Sequence, residues 1–367
     1  MVAPSETVDQ EDELSTLPPV VQQEISTLLA RLRRGQIRDS AHVARKVLEI
    51  MRRVLDHSKI EEVSTLIQQI KRAGRVMVAA QPHELVIGNM VRRVLATVRE
   101  ESTGDPALSK DAGGSGGGDG GGSGPSLRRL LDAPESTDYS RKAVKGLRDS
   151  IHQGIQEVIE ELQTSSSHIA EQAIQHIHAN EVILTHGHDP AVEAFLKSAH
   201  KKRTFDVIVA ETAPGLGGHQ MAVALAEAGI STTLIADAAV FAMMARVNKV
   251  IVGAHGVMAN GGLIATAGCH LLALAAQHHS VPLVACAGLY KLTPLFPSGH
   301  ESFNVLLSPE PMLRYDEGLA NVHAPNPAYD YVPPELVALL ITNSGPSHAS
   351  YIYRLLAEYY HQEDHTF

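Results

Sequence analysis

Apolar residues change their spacing once along this chain, near Asn180, and that change limits the folds open to it. Upstream they recur at steps of three and four, the period of an amphipathic helix. Val21, Ile25, Leu28, Leu29 and Leu32 form one stripe. Val43, Val47, Ile50, Met51 and Val54 form a second, with Asp39 and Ser40 available as an N-cap. Val63, Leu66, Ile67 and Ile70 form a third, ending near Gly74, and a fourth after Pro82 carries Ile87, Met90, Val91, Val94, Leu95 and Val98. A long stripe through Val144, Leu147, Ile151, Ile155, Val158, Ile159 and Leu162 predicts a helix reaching about Ile177 that bridges two domains.

Downstream of Asn180 short apolar runs alternate with helical stretches. The runs Val182–Thr185, Val207–Glu211, Thr232–Ala236, Val250–Val252 and Leu283–Ala287 read as strands covered on both faces. Helices are predicted near 190–201, 217–228, 238–246 and 262–279, then a strand at Leu336–Ile341 and a last helix at Ser350–Tyr360. The fold class is therefore α/β, an N-terminal all-α helical domain followed by a Rossmann-like, doubly wound parallel sheet. The expected domains are 19–178 and 179–367, preceded by a disordered acidic tail, 1–18. A Gly- and Ser-rich insertion over 102–126 resembles a flexible coil.

Composition narrows the function. Of 367 residues 44% are apolar but 4% aromatic and none is Trp, so the core is aliphatic. No apolar run is long enough to cross a membrane and the N-terminus predicts no signal peptide. Two cysteines, Cys269 and Cys286, make no disulfide framework, which fits a reducing, cytoplasmic setting. A net charge of −10 argues against direct nucleic-acid binding.

Loops at the carboxyl ends of the strands are where a ligand would sit. They carry Thr185-His186-Gly187-His188, Glu211 through His219, Asp237, and Gly253-Ala254-His255 followed by Asn260-Gly261-Gly262. Gly215-Leu216-Gly217-Gly218 lacks the third glycine of a dinucleotide fingerprint, since Gln220 stands there, and reads as a tight turn. Twenty histidines include no zinc spacing, so neither metal nor cofactor is expected. Cys269 and Cys286 read as small buried hydrophobes. Glu211 and Asp237 converge at adjacent strand ends, either to orient a ligand or to cap helices.

Two stretches are more specific. Ala80-Gln81-Pro82-His83-Glu84-Leu85-Val86-Ile87-Gly88-Asn89-Met90-Val91-Arg92-Arg93-Val94-Leu95 resembles the regulatory subunits of eukaryotic translation initiation factor 2B. Tyr329-Asp330-Tyr331-Val332-Pro333-Pro334-Glu335-Leu336-Val337, and Ser350 through Leu356, resemble the beta-type branch, as does Val247 through Ala254. That family is similar to methylthioribose-1-phosphate and ribose-1,5-bisphosphate isomerases, which use a Cys in a Thr-His-Cys-Asn-type loop and an Asp in a Gly-Ala-Asp-Arg-type loop. Here those positions hold Gly187 and His255. Neither supplies the thiol or the carboxylate that proton transfer there needs.

The resemblance implies a non-catalytic regulatory subunit of the guanine-nucleotide exchange factor for initiation factor 2. Such a subunit pairs with a delta-type chain and then with alpha, gamma and epsilon. It contacts the alpha subunit of initiation factor 2 and helps sense its phosphorylation under stress. The alternatives are an isomerase built on Glu211, Asp237 and His255, or a module whose old pocket still senses a sugar phosphate or nucleotide. Tyr329, Tyr331, Tyr351 and Tyr353 gather in a chain poor in aromatics and mark either a partner surface or the cover of their own core. Arg92 and Arg99, seven apart on one helix, are expected on an exposed face, solvated or turned toward the substrate factor.

Overall fold

The computed structural model describes residues 13–37, 39–57, 62–103, 144–297, 299, 304–317 and 321–367. Its first layer is helical: α1 (Pro19–Arg33), α2 (Ser40–His57), α3 (Val63–Ala80), α4 (Leu85–Thr103) and α5 (Arg148–Glu171), the last continued by the single turn α6 (Ala173–His176). The stripes read from sequence face one another in one apolar cluster, with Val47, Met51, Leu66, Met90, Leu95 and Ile151 all within it. Asp39 starts α2 by accepting the amides of Ala41 and His42, both at 3.2 Å, which satisfies donors the first turn leaves free.

The second layer is a seven-stranded sheet in the order β10-β9-β7-β4-β1-β2-β3. Its strands are β1 (Val182–His186), β2 (Asp206–Ala210), β3 (Ser231–Ile235), β4 (Lys249–Gly253), β7 (Leu283–Cys286), β9 (Leu339–Thr342) and β10 (Gly345–Ser347). All neighbours run parallel except β10 against β9. The parallel part repeats the 3-2-1-4-5-6 order of a doubly wound fold, whose strand order reverses between β1 and β4. Helices α7 (Pro190–His200), α8 (Gly217–Glu227), α9 (Val240–Met244), α10 (Cys269–His278) and α11 (Ile352–Tyr359) complete the layer. Separate apolar clusters fill the two faces of the sheet, one around Leu184, Val250 and Leu272, the other around Ile183, Phe195 and Ile251.

Three expectations need correction. The stretch 262–279 is not one helix: β6 (Leu263–Thr266) pairs with β5 (Gly256–Val257) and β8 (Tyr329–Val332) in a small antiparallel sheet, and only then does α10 begin. Its run of small apolar residues has no period that separates strand from helix. Strand β3 is not covered on both faces; it forms the edge and exposes Leu234. The acidic tail does not extend to 18, because Leu17 is buried on the helical core and Glu13 pairs with Arg75 at 2.6 Å. Residues 1–12 of that tail and 104–126 of the Gly-rich insertion lie outside the described residues, while Ser102 and Thr103 belong to α4.

Candidate functional site

At the strand-order reversal the chain turns through Gly187, whose φ of 68° lies where glycine is favoured. Thr185 is buried within β1. His188 leaves the pocket: its Nε2 meets Glu193 at 2.8 Å, and Lys197 holds the other oxygen of that carboxylate at 2.6 Å. Gly253 admits Asp189, since a Cβ there would lie 2.3 Å from the Asp189 carboxyl. Asp189 in turn caps α7 through Ala191 (2.8 Å) and pairs with buried Lys291 at 3.3 Å. Carboxylates beside the Lys291 ammonium hold its pKa above the ordinary lysine value against the cost of burial.

A cavity of about 250 Å³ opens beside this turn, lined by His186, Ala213, Pro214, Asp237, Gly268 and Leu271 among others. Asp237 accepts the amides of Thr212 (2.9 Å) and Ala213 (2.7 Å), so it holds the loop after β2 in place. It lies 3.9 Å from His186, whose burial lowers its pKa despite the Asp237 and Asp330 carboxylates. Glu211 stands 3.9 Å from half-exposed His219 and does not line the cavity. Asn260 closes its own turn, accepting from the Gly262 amide at 3.0 Å and donating to the Tyr331 hydroxyl at 2.7 Å.

His255 sits elsewhere, where the helical layer meets the small sheet. Its ring stacks on Tyr329 at 4.3 Å between centroids. Nδ1 lies 3.4 Å from the Ser40 hydroxyl, and Nε2 3.4 Å from the His83 carbonyl and 3.9 Å from Glu84. Burial, helped by the Lys291 charge, pushes its pKa down to about 4. Burial likewise raises Glu84 to about 7. One Glu84 oxygen has no hydrogen-bond partner. Both side chains are therefore largely uncharged near pH 6. The site residues expected to act together thus divide between a cavity and a buried contact that share no lining residue.

Burial raises the Cys269 thiol to about 12 and pushes Cys286 up as well, so neither is a thiolate at neutral pH. Among the described residues no group of three or more His, Cys, Asp or Glu is placed to hold a metal. No helix among them is long and apolar enough to cross a membrane.

The arginine expectation is overturned. Arg92 and Arg99 are buried, not exposed. Arg99 makes a two-pronged pair with fully buried Asp364 at 2.8 and 3.0 Å, and Arg92 donates to the His365 carbonyl and lies 5.0 Å over the Phe367 ring. The far side of α4 is covered by the chain's own last residues. Tyr329 and Tyr331 are half-buried within the small sheet and serve their own core, whereas Tyr351 and Tyr353 are exposed. The sequence did not mark Asp189, Lys291, Glu84, Asp330 or Asp364 as site residues. Only Asp189 carried a local signal, an acidic residue directly before a helix-starting Pro190.

Comparison with known proteins agrees with this fold. The chain is 44% identical over 370 residues to translation initiation factor eIF2B subunit beta of Dictyostelium discoideum, covering 92% of this chain and 95% of that one. It is 26% identical to ribose 1,5-bisphosphate isomerase of Pyrococcus furiosus, over 89% and 91% of the two chains. It superposes with a TM-score of 0.70 and 29% identity on a chain of the tetrameric eIF2B-beta2-delta2 complex from C. thermophilum, over 93% and 95% of the respective chains. Residues 36–348 match the initiation factor 2 subunit family, to which the chain belongs.

Proposed function

We propose that the chain is a non-catalytic regulatory subunit of the guanine-nucleotide exchange factor for initiation factor 2. It works by binding other proteins. The observation that carries this reading is the pair Gly187 and His255. At the positions where the isomerases hold a thiol and a carboxylate, one residue has no side chain and the other is a buried, neutral ring packed on Tyr329. Proton transfer needs a group that titrates within reach of a substrate, and the cysteines present are buried thiols.

Its partner is a delta-type subunit, as in the C. thermophilum complex, with alpha, gamma and epsilon joining the larger assembly. An exposed apolar face supports this. Leu271 and Leu274 lie three apart on α10, and His278 on the same face touches Phe241 of α9 at 5.1 Å. Phe241, Leu271 and Leu274 are 52, 60 and 50% exposed, and clustered apolar exposure of this kind marks interaction surfaces. Exposed Tyr351 and Tyr353 on the last helix extend the surface offered to subunits. Contact with the alpha subunit of initiation factor 2, and response to its phosphorylation, fall to the helical layer, where Arg31, Arg33 and Arg34 are exposed.

The test is turnover of ribose 1,5-bisphosphate by the pure chain, alongside capture of the delta-type subunit. We expect no isomerisation above a protein-free control and stable capture. A ribose 1,5-bisphosphate isomerase assayed in parallel checks that turnover would be detected. Isomerisation by the unaltered chain would overturn the reading.

A further inference from the structure

We propose that the cavity at the ends of β1 and β2 receives a cationic side chain, the guanidinium or ammonium of a docking partner, and no longer receives a phosphate.

Three features of the cavity select charge in this direction. A phosphate in a doubly wound fold is held by backbone amides and helix N-termini, and here the chain's own carboxylates already occupy them. Asp330 accepts from the amides of Gly268 (2.7 Å) and His270 (3.2 Å) at the start of α10. Asp237 takes those of Thr212 and Ala213 at 2.9 and 2.7 Å. An anion would have to displace one of these and sit against the other. Next, no lysine or arginine is among the described residues that line the cavity, and His186 there has its pKa lowered by burial. Asp237 is the charged group that remains, with its side chain 30% exposed, and Asn326, whose amide donates to the Ser308 carbonyl at 2.8 Å, is a neutral polar neighbour in the wall.

The remaining walls are apolar, with Val240, Leu271, Met312 and Pro327 among them. Apolar walls around one carboxylate match the methylene stem and charged tip of an arginine or lysine. The source of the cation follows from where the cavity opens. Leu271 and Met312, at its rim, are 60 and 46% exposed, and Leu271 belongs to the apolar face assigned above to the delta-type partner. A protein covering that face passes over the mouth of the cavity. The inference thus rests on that docking reading for its source, though not for the sign of its charge.

Calorimetric titration of the free chain with agmatine, an alkylguanidinium, and separately with ribose 5-phosphate, tests the charge. Agmatine is expected to bind one-to-one and ribose 5-phosphate not at all. Asp237→Asn should weaken agmatine at least tenfold. Ala267→Leu, which fills the cavity and leaves Asp237 in place, should do the same and guards against a disturbed loop in the first variant. Ribose 5-phosphate binding in preference to agmatine, or agmatine binding indifferent to both variants, would overturn the proposal. The assembled complex with the delta-type subunit tests the source: agmatine should no longer bind, and undiminished binding there would refute a partner side chain as the occupant. Failure of the two chains to co-elute, read before any titration, would refute the docking reading and the protein source, while the free-chain titration still decides the charge.

Discussion

At the scale of single residues the contact between Glu84 and His255 makes stability depend on pH in two opposite directions. Glu84 has its pKa raised from 4.5 to about 7 in the fold. It binds a proton in the native state where the unfolded chain has released it, so its contribution is fully present below pH 4.5 and is lost as pH rises through about 7. Replacing it by Gln removes that loss. We predict that Glu84→Gln gains up to about 3 kcal/mol on the unaltered chain between pH 4.5 and 8, from a shift of about two and a half units at 1.36 kcal/mol each. Urea unfolding at the two pH values measures it, and parallel pH profiles would contradict the account. His255 acts oppositely. Its pKa is lowered from 6.5 to about 4, so the unfolded chain gains protons first as pH falls, and stability drops from pH 6.5 toward 4. In Glu84→Gln the loss at rising pH is gone and this acid limb remains, together with those of His176, His186, His361 and His365, whose pKa values burial also lowers. The sequence located His255 by its neighbours Gly253 and Ala254. It did not reveal the burial, because Ser40, His83 and Tyr329, which enclose the ring, come from distant parts of the chain.

At the scale of elements, the periodic helices and the buried strands were legible because burial on one stripe or on both faces leaves a pattern in the residues themselves. What escaped was every element defined by what covers it. The residues after α11 are too few to show a period, yet they carry Asp364 into a pocket between Arg99 and Lys71, with Lys71 at 2.8 Å. That made α4 look open to solvent on its arginine side. Asp364→Ala takes the fully buried carboxylate from Arg99 and Lys71 and leaves Arg99 paired only with half-exposed Glu363 at 2.6 Å, a loss of charge-assisted hydrogen bonds expected to cost about 1.5–3 kcal/mol. Chemical denaturation should show it, and a loss under 1 kcal/mol would mean the tail does not hold α4. Helix α10 gives the complementary case. Leu271 and Leu274 lie on its outer face and Leu272 in the core, so Leu271→Asp with Leu274→Asp should leave thermal unfolding and circular dichroism unchanged while reducing capture of the delta-type subunit at least tenfold. Loss of fold together with capture would show that the face supports the chain's own core instead.

On the scale of the whole molecule, the helical layer and the sheet layer meet through charged and polar side chains as well as apolar ones. Asp39, Ser40 and Glu84 come from the first, and Lys291, His255 and Tyr329 from the second. An interdomain crevice that serves as an active site in enzymes must admit substrate and water. Here it is shut by a stacked His255–Tyr329 pair, while the open cavity lies on the far side of β1, next to the exposed apolar face. On the proposed function the molecule offers its surface to proteins rather than its crevice to a metabolite. The resemblance in residues 80–95 and 329–356 was enough to place the chain in its family, because those segments are where the two layers and the small sheet join. The most direct measurement is the native mass of the chain co-expressed with the delta-type subunit. The account predicts a stable species containing two copies of each, and it would be contradicted by a chain that remains apart from that subunit at micromolar concentration.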